Sequence, residues 1–308
     1  MPPFPAPTAQ PQPSPALLNR ALGAFLGVAV GDALGATVEF MTAREIAAQY
    51  KVHKEIIGGG WLHLRPGRVT DDTEMALALG AALIASGGWN PAAIADSFVT
   101  WMRSKPVDIG NACRRGISRY IADGSVFAPP TEDSAGNGAA MRNLPTVLAS
   151  LASDELLTRR SIEQAHITHH HPKSDAATAA LACMTRRLLL EGEQAACDQI
   201  ASTLITQHPA FRFRPWPGNA SGYIVDTVQT VFDAFFSTGN FEDCLVRVVN
   251  RGGDADTTGA LAGQLAGALY GVQGIPVRWV KKLDPVVVAA IYKQTPQLLK
   301  LSESHAPA

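Results

Sequence analysis

The sequence predicts an all-α fold, a single compact multi-helix domain over about residues 16–300. Three observations carry this expectation. Apolar residues recur at helical spacing in segment after segment, strand signals are scarce, and two segments carry glycine at every fourth position.

The opening "MPPFPAPTAQPQPSP" has no basic n-region and no apolar h-region, so it does not read as a signal peptide. Its prolines predict a disordered arm over residues 1–15. "LLNRALGAFLGVAVGDALG" then places apolar residues at 18, 22, 25, 26 and 29, a helical spacing; its apolar run Ala21–Gly31 stops at Asp32, too short to span a membrane. A long connection follows from Lys51 to Val69, where "GGGWLHLRPG" reads as a turn or as a flap over a site. "DDTEMALALGAALIASGG" opens on acids and closes on two glycines, the usual asymmetry of helix ends. "NPAAIADSFVTWMRS" and "NACRRGISRYIADGS" behave likewise, before a second long connection from Ala128 to Asn143. "SDAATAALACMTRRLLLEGE", "SGYIVDTVQTVFDAFFSTGN" and "FEDCLVRVVN" complete the helical series. Between them "FRFRPW" alternates like a strand but is short and ends in proline. Residues 301–308 read as a flexible tail.

The glycine periods say where two of these helices sit. Gly23, Gly27, Gly31 and Gly35 form one series, and Gly259, Gly263, Gly267 and Gly271 the other. Interior glycine costs about 1 kcal/mol against alanine, so the stripes need a return, and close approach of another backbone is one. Two helices packed at short distance in the centre of the bundle are expected, with carboxylates at or near one end of each: Asp32 and Glu39 on the first, Asp254 and Asp256 on the second.

Charged residues make up only 17% of the chain and the formal net charge is -1, which excludes electrostatic capture of nucleic acid or anionic membrane as a general mode of binding. Four cysteines without a pairing rhythm suit reduced thiols, and a cytoplasmic monomer is expected. Against this sparse background, "VTDDTEM" and "GGDADTTGA" concentrate acids and hydroxyls at helix starts. Capping alone would account for one oxygen at each, whereas each offers three or four. Glu39, Asp71, Asp72, Asp254 and Asp256 would bring five negative charges together. Oxygen donors without thiolate or imidazole favour a hard divalent ion, and two such ions would neutralise four charges, a binuclear site in a central cleft.

"GVAVGDALGATVEF", "VTDDTEMALAL", "DIGNACRRGI", "GNGAAMRNLP", "THHHP", "SGYIVDTV" and "NRGGDADTTGALAGQLAGALYG" resemble, in this order, the ADP-ribosylglycohydrolase family. The resemblance runs from about Ala21 to Tyr270 and implies an all-α enzyme with two Mg²⁺ or Mn²⁺ ions. It implies metal ligands at Thr70, Asp71, Asp72, Asp254, Asp256 and Thr257, with Glu39 as a neighbouring ligand or catalytic carboxylate and Asp32 supporting the site. Thr258 and Arg251 are expected beside it. The implied activity cleaves ADP-ribose from an acceptor, above all the guanidinium of a modified arginine on a protein, or from a small-molecule substrate. Its transition state is cation-like at the anomeric carbon. Glu39 and Asp108 are the candidate acid–base groups, and both direct hydrolysis and a ring-opening route stay open.

The same resemblance implies ADP-ribose contacts at Asn111, Gly136, Asn137, Gly138, Met141 and His169, and a tyrosine stacked on adenine at Tyr223. Taken alone, "SAGNGAAMRN" is a glycine-bearing turn whose N–H groups suit a diphosphate. "THHHP" fails as a zinc site, because three consecutive residues cannot face one point and no fourth ligand sits nearby. Alternatives are a metal-dependent hydrolase of a phosphorylated nucleoside or of small ADP-ribose derivatives, which the same site would serve, a binder with a decayed site and, from another class, an immunity protein that counters an ADP-ribosylating toxin.

Overall fold

Capping residues set many of the helix boundaries in the computed structural model, which describes residues 13–303. Ser14 accepts from the Leu17 N–H, and Pro15 opens α1 (Pro15–Gly35). Thr42 and Glu45 form a reciprocal capping box at α2 (Ala43–Tyr50). After α3 (Asp71–Ala85), Asn90 caps α4 (Pro91–Arg103) and a left-handed Gly124 closes α5 (Asn111–Asp123). The short α6 (Leu144–Leu148) precedes α7 (Asp154–His166), capped by Ser153, and α8 (Pro172–Glu191), capped by His171. Then come α9 (Ala195–Gln207), α10 (Ile224–Phe235) and α11 (Phe241–Val249), the last capped by Asn240. The chain finishes with α12 (Ala255–Gly274), α13 (Val277–Val280) and α14 (Pro285–Glu303).

The fold is all-α: it is about 66% helical, with no sheet among the described residues. Among the described residues, isolated bridges join Thr42 to Gly252, Gly59 to Leu64 and Gly136 to Tyr223. "FRFRPW" forms no strand; its alternation instead buries Phe211 and Phe213 in the core, where Phe213 meets the rings of Phe232 and Phe236. The expected arm lies outside the described residues as far as residue 12, and the tail from residue 304. Pro15 already belongs to α1, and α14 continues through Leu301 because Ser302 is buried and accepts from the Leu151 N–H at 2.7 Å. Helices α2, α7, α9, α13 and α14 have no counterpart among the segments quoted above. The first of them buries only Ile46, so it has little apolar periodicity to read.

α1 and α12 are the central pair and run antiparallel. A Cβ added at Gly27 would stand 2.0 Å from the Gly263 carbonyl oxygen, and one at Gly263 the same distance from Gly27. Gly31 meets Gly259 and Gly23 meets Gly267 in the same way, so backbone lies on backbone there; Gly35 meets the Ala255 carbonyl, and Gly271, held at φ +68°, kinks α12 and faces the Asn19 side chain instead. By length and composition α1 is apolar enough to cross a membrane, a longer stretch than the Ala21–Gly31 run, but it is buried as the core helix of this bundle. The antiparallel register has one further consequence. It sets the C-terminal end of α1 beside the N-terminus of α12, so the two acidic ends meet.

Candidate active site

Asp32, in the last turn of α1, is fully buried and accepts from the Thr70 N–H (3.0 Å), the Thr70 hydroxyl (3.0 Å) and the Thr73 N–H and hydroxyl (3.2 and 2.5 Å). Thr70 makes no side-chain cap of its own, so Asp32 caps α3 from another helix. That leaves the acids of α3 for other work. Asp71 accepts from the Gly110 N–H at 3.1 Å, whereas Asp72 turns inward to the hydroxyls of Thr257 (3.3 Å) and Thr70 (3.5 Å). The other Asp72 oxygen, Oδ1, is buried without a partner, which costs free energy unless something occupies that space.

From α12, Asp254 stands at the cap position without capping; its carboxylate accepts from the Asn137 amide at 2.5 Å. Asp256 accepts from the Thr257 N–H (2.9 Å) and the Thr70 hydroxyl (3.4 Å). Glu39 reaches the same point from the turn after α1, its carboxylate held by the Trp61 indole N–H at 2.6 Å. One oxygen each from Glu39, Asp254 and Asp256 lies within 4.8 Å of the others.

Electrostatically, these acids are under pressure. Burial, reinforced by the charges of Asp254, Asp108 and Asp71 against the opposing Trp61 hydrogen bond, pushes the Glu39 carboxyl up to about 8. Burial and then Asp108 push Asp71 up to about 7, and burial raises Asp32 to about 6 despite its hydrogen bonds. Burial followed by neighbouring carboxylates drives Asp72 and Asp256 well above the ordinary range, and burial raises Asp254. Among the described residues no ion pair involves any of the six. Oxygen donors, an orphaned carboxylate oxygen and unpaired like charges fit a divalent cation.

A cleft of about 610 Å³ opens over this cluster. Glu39, Asp71, Asp254, Asp256 and Thr257 lie in its wall, while Thr70 and Asp72 stay behind. Asp108 and Asn111 line the side formed by the start of α5, and Asp108 is half-buried. Gly136, Asn137, Gly138, Met141 and His169 line another side. Asn137 spends its amide on Asp254 and the Thr227 hydroxyl (3.0 Å), so it fastens an acid as well as facing the cleft. Burial, and after it the Arg142 charge, push the His169 imidazole down to about 3, so it is neutral. A Cβ at Gly138 would lie 2.9 Å from its ring, so glycine there keeps the imidazole against the cleft.

Tyr223 does not line this cleft, although its neighbour Gly222 does; its hydroxyl accepts from Lys173 at 2.7 Å, and its backbone bridges to Gly136. The three histidines of "THHHP" point three ways. His170 bonds the Ala128 carbonyl and stacks on His166, while His171 caps α8. Thr258 bonds back within α12, and Arg251 pairs with Asp233 and stacks on Trp216, away from the acids. Sequence reasoning missed Trp61 as the partner of Glu39, Phe40 and Cys113 in the wall, and Arg142 beneath it. Arg142 is fully buried and donates to Gln164 and Thr168. Only the lone indole in a glycine run signalled the first of these.

Residues 13–307 match the model of a family described as ADP-ribosylglycohydrolase. The chain is 54% identical over 288 residues to the ADP-ribosyl-[dinitrogen reductase] glycohydrolase of Rhodospirillum rubrum, covering 94% of this chain and 98% of that one. It is 34% identical to the ADP-ribosylarginine hydrolase Tri1 of Pseudomonas putida (strain GB-1), over 86% of this chain and 74% of the relative. A solved structure of an ADP-ribosylglycohydrolase-related protein complex is similar at a TM-score of 0.82 with 36% identity, covering 93% of this chain and 99% of that one.

Proposed function

The chain belongs to the ADP-ribosylglycohydrolase family, and from that premise we propose that it is the glycohydrolase that frees protein arginine from ADP-ribose with the help of two Mg²⁺ or Mn²⁺ ions. The observation that carries this reading is the meeting of six buried or half-buried acids from α1, α3, the start of α12 and the turn after α1, none ion-paired among the described residues. Glu39, Asp71, Asp72, Asp254 and Asp256, with the hydroxyls of Thr70 and Thr257, would hold the ions. Bound there, the ions supply a Lewis acid to the ribose oxygens.

The protein's own groups do the rest. The Trp61 indole fixes the Glu39 carboxyl in the cleft, where in the absence of ions burial pushes it up to about 8. Glu39 serves the ions as a ligand or, when not bound to them, delivers a proton to the departing guanidine nitrogen. Asp108 faces the same space and is the second carboxylate that glycoside cleavage calls for. Gly136, Gly138 and the neutral His169 line the part of the cleft suited to the diphosphate and adenosine.

Release of ADP-ribose from ADP-ribosyl-arginine and ADP-ribosyl-serine, each with and without Mg²⁺ or Mn²⁺, tests the reading. Metal-dependent release from the arginine linkage is expected. Release that ignores chelator, or none from arginine, contradicts it.

A second expectation follows from linkage. Folding raises these carboxyl pKa values, so the native state keeps protons that the unfolded chain has lost. Their contribution to stability is full below about pH 4 and drains away as pH rises through about 6 to 8. In chelator, the melting temperature should fall between about pH 5 and pH 8, and added Mg²⁺ or Mn²⁺ should restore it at the upper end. A chelated protein that melts higher at the alkaline end would contradict the cluster's role.

A further inference from the structure

Building on the arginine reading above, we propose that the groove between Phe40, Trp61 and α2 is the acceptor subsite, which takes the modified arginine side chain and the peptide that carries it. Phe40 is a bulky residue held at φ +62° with its side chain 65% exposed. Such a backbone persists only where the surroundings over-determine it. Here its N–H donates to the Gly253 carbonyl (2.7 Å), the Gly253 N–H donates to the Met41 carbonyl (2.8 Å), and Thr42 bridges to Gly252. Gly253 is followed by Asp254, so this pairing ties an exposed ring to the carboxylate cluster.

Trp61 is fixed by different means and is also about half exposed. Its indole is tied to Glu39, and Gly60 behind it lies so close to α1 that a Cβ would stand 2.2 Å from the Ala36 carbonyl oxygen. The two rings lie 5.4 Å apart, centroid to centroid. They are rigidly placed, yet their faces are not spent on the core.

From Glu39, Phe40 and Trp61 a second groove of about 740 Å³ continues out of the cleft, walled by Tyr50, Glu45 and Gln49. The leaving group of the proposed reaction is a guanidinium, a planar cation that stacks on aromatic faces and pairs with carboxylates. The residues lining this groove include Glu39 and Glu45 and neither lysine nor arginine. Thr42 bonds the Glu45 carboxylate and holds it below its usual range, so it stays anionic. A groove of about 500 Å³ on the other side of Phe40 suits arginine poorly. There the Trp216 face is already covered by the Arg251 guanidinium at 3.9 Å, so that ring face is not free to stack on a second guanidinium.

Phe40→Gly in the metal-loaded protein removes the ring while easing the left-handed backbone, so the fold is retained. On an ADP-ribosylated arginine peptide, KM should rise about three- to thirty-fold, with a smaller change in kcat. The Kd of free ADP-ribose, measured by calorimetry, should stay within about twofold, because that ligand has no acceptor to lose. Phe40→Tyr should return KM close to the wild-type value. An unchanged KM overturns the proposal, as does a parallel rise in KM and in the ADP-ribose Kd, which would put the ring on the ADP-ribose side. Wild-type protein inert on the peptide would overturn the arginine reading itself, and this subsite with it.

Discussion

Asp256→Ala should lose at least about a thousandfold in ADP-ribose release, equivalent to about 4 kcal/mol of transition-state stabilisation. Asp256 is buried in the first turn of α12, one of three acids whose oxygens converge within 4.8 Å, and it feels the charges of Glu39, Asp254, Asp72 and Asp32. Removing it takes one of the converging ligands from the metal site and leaves the Gly136, Asn137, Gly138, Met141 and His169 side of the cleft as it is. The fold should survive, since alanine is a better helix former and one repelling acid disappears from a crowded site. In chelator the variant should melt at or above the wild-type temperature, and its gain on adding Mg²⁺ or Mn²⁺ should shrink. Retention of more than about a tenth of the activity would show that this carboxylate is dispensable to the chemistry.

The second large effect lies in the glycine stripe. Gly27→Val and Gly263→Val each set a side chain where even a Cβ would stand 2.0 Å from the opposing carbonyl oxygen. Backbone cannot turn aside as a flexible side chain does, so α1 and α12 must separate. Overpacking of this kind costs about 3 kcal/mol or more, a large share of a domain stability of roughly 5–15 kcal/mol. Separation would also pull Asp32 and Glu39 away from Asp254 and Asp256. Either variant is expected to be insoluble or to melt about 10 °C lower, with metal binding weakened. Gly239→Ala serves as the control, because a Cβ there meets nothing within 4 Å. A valine variant as stable as that control would mean that the two helices can part without cost.

Much of this was legible because it is local. Acids and hydroxyls crowd the starts of α3 and α12, and a four-residue glycine period declares a close approach whatever the partner. The partner was harder to read. Periodicity puts Gly27 and Gly263 each on a striped face, but only the antiparallel register sets them against each other. Asp32 could be assigned a supporting part from its motif, yet its means, capping α3 from α1, spans 38 residues of sequence. Asn137 looked like a substrate contact and also fastens Asp254, while Tyr223 lies outside the cleft wall with its hydroxyl on Lys173. Arg251 sits next to the acid cluster in sequence and pairs with Asp233 instead.

The sequence by itself therefore determined the helical class, the central pair and the chemistry of the donor atoms, since each follows from residue type and short-range spacing. Tertiary structure alone decided how those atoms meet. The tight glycine contact sets the register of α1 against α12, and that register brings Glu39 to Asp254 and Asp256. The glycine-bearing turn before α3 carries Trp61 to Glu39, and the short pairing of residues 40–42 with 252–253 holds Phe40 in an otherwise unfavourable backbone. Each of these contacts joins segments distant in the chain, where no local propensity reaches.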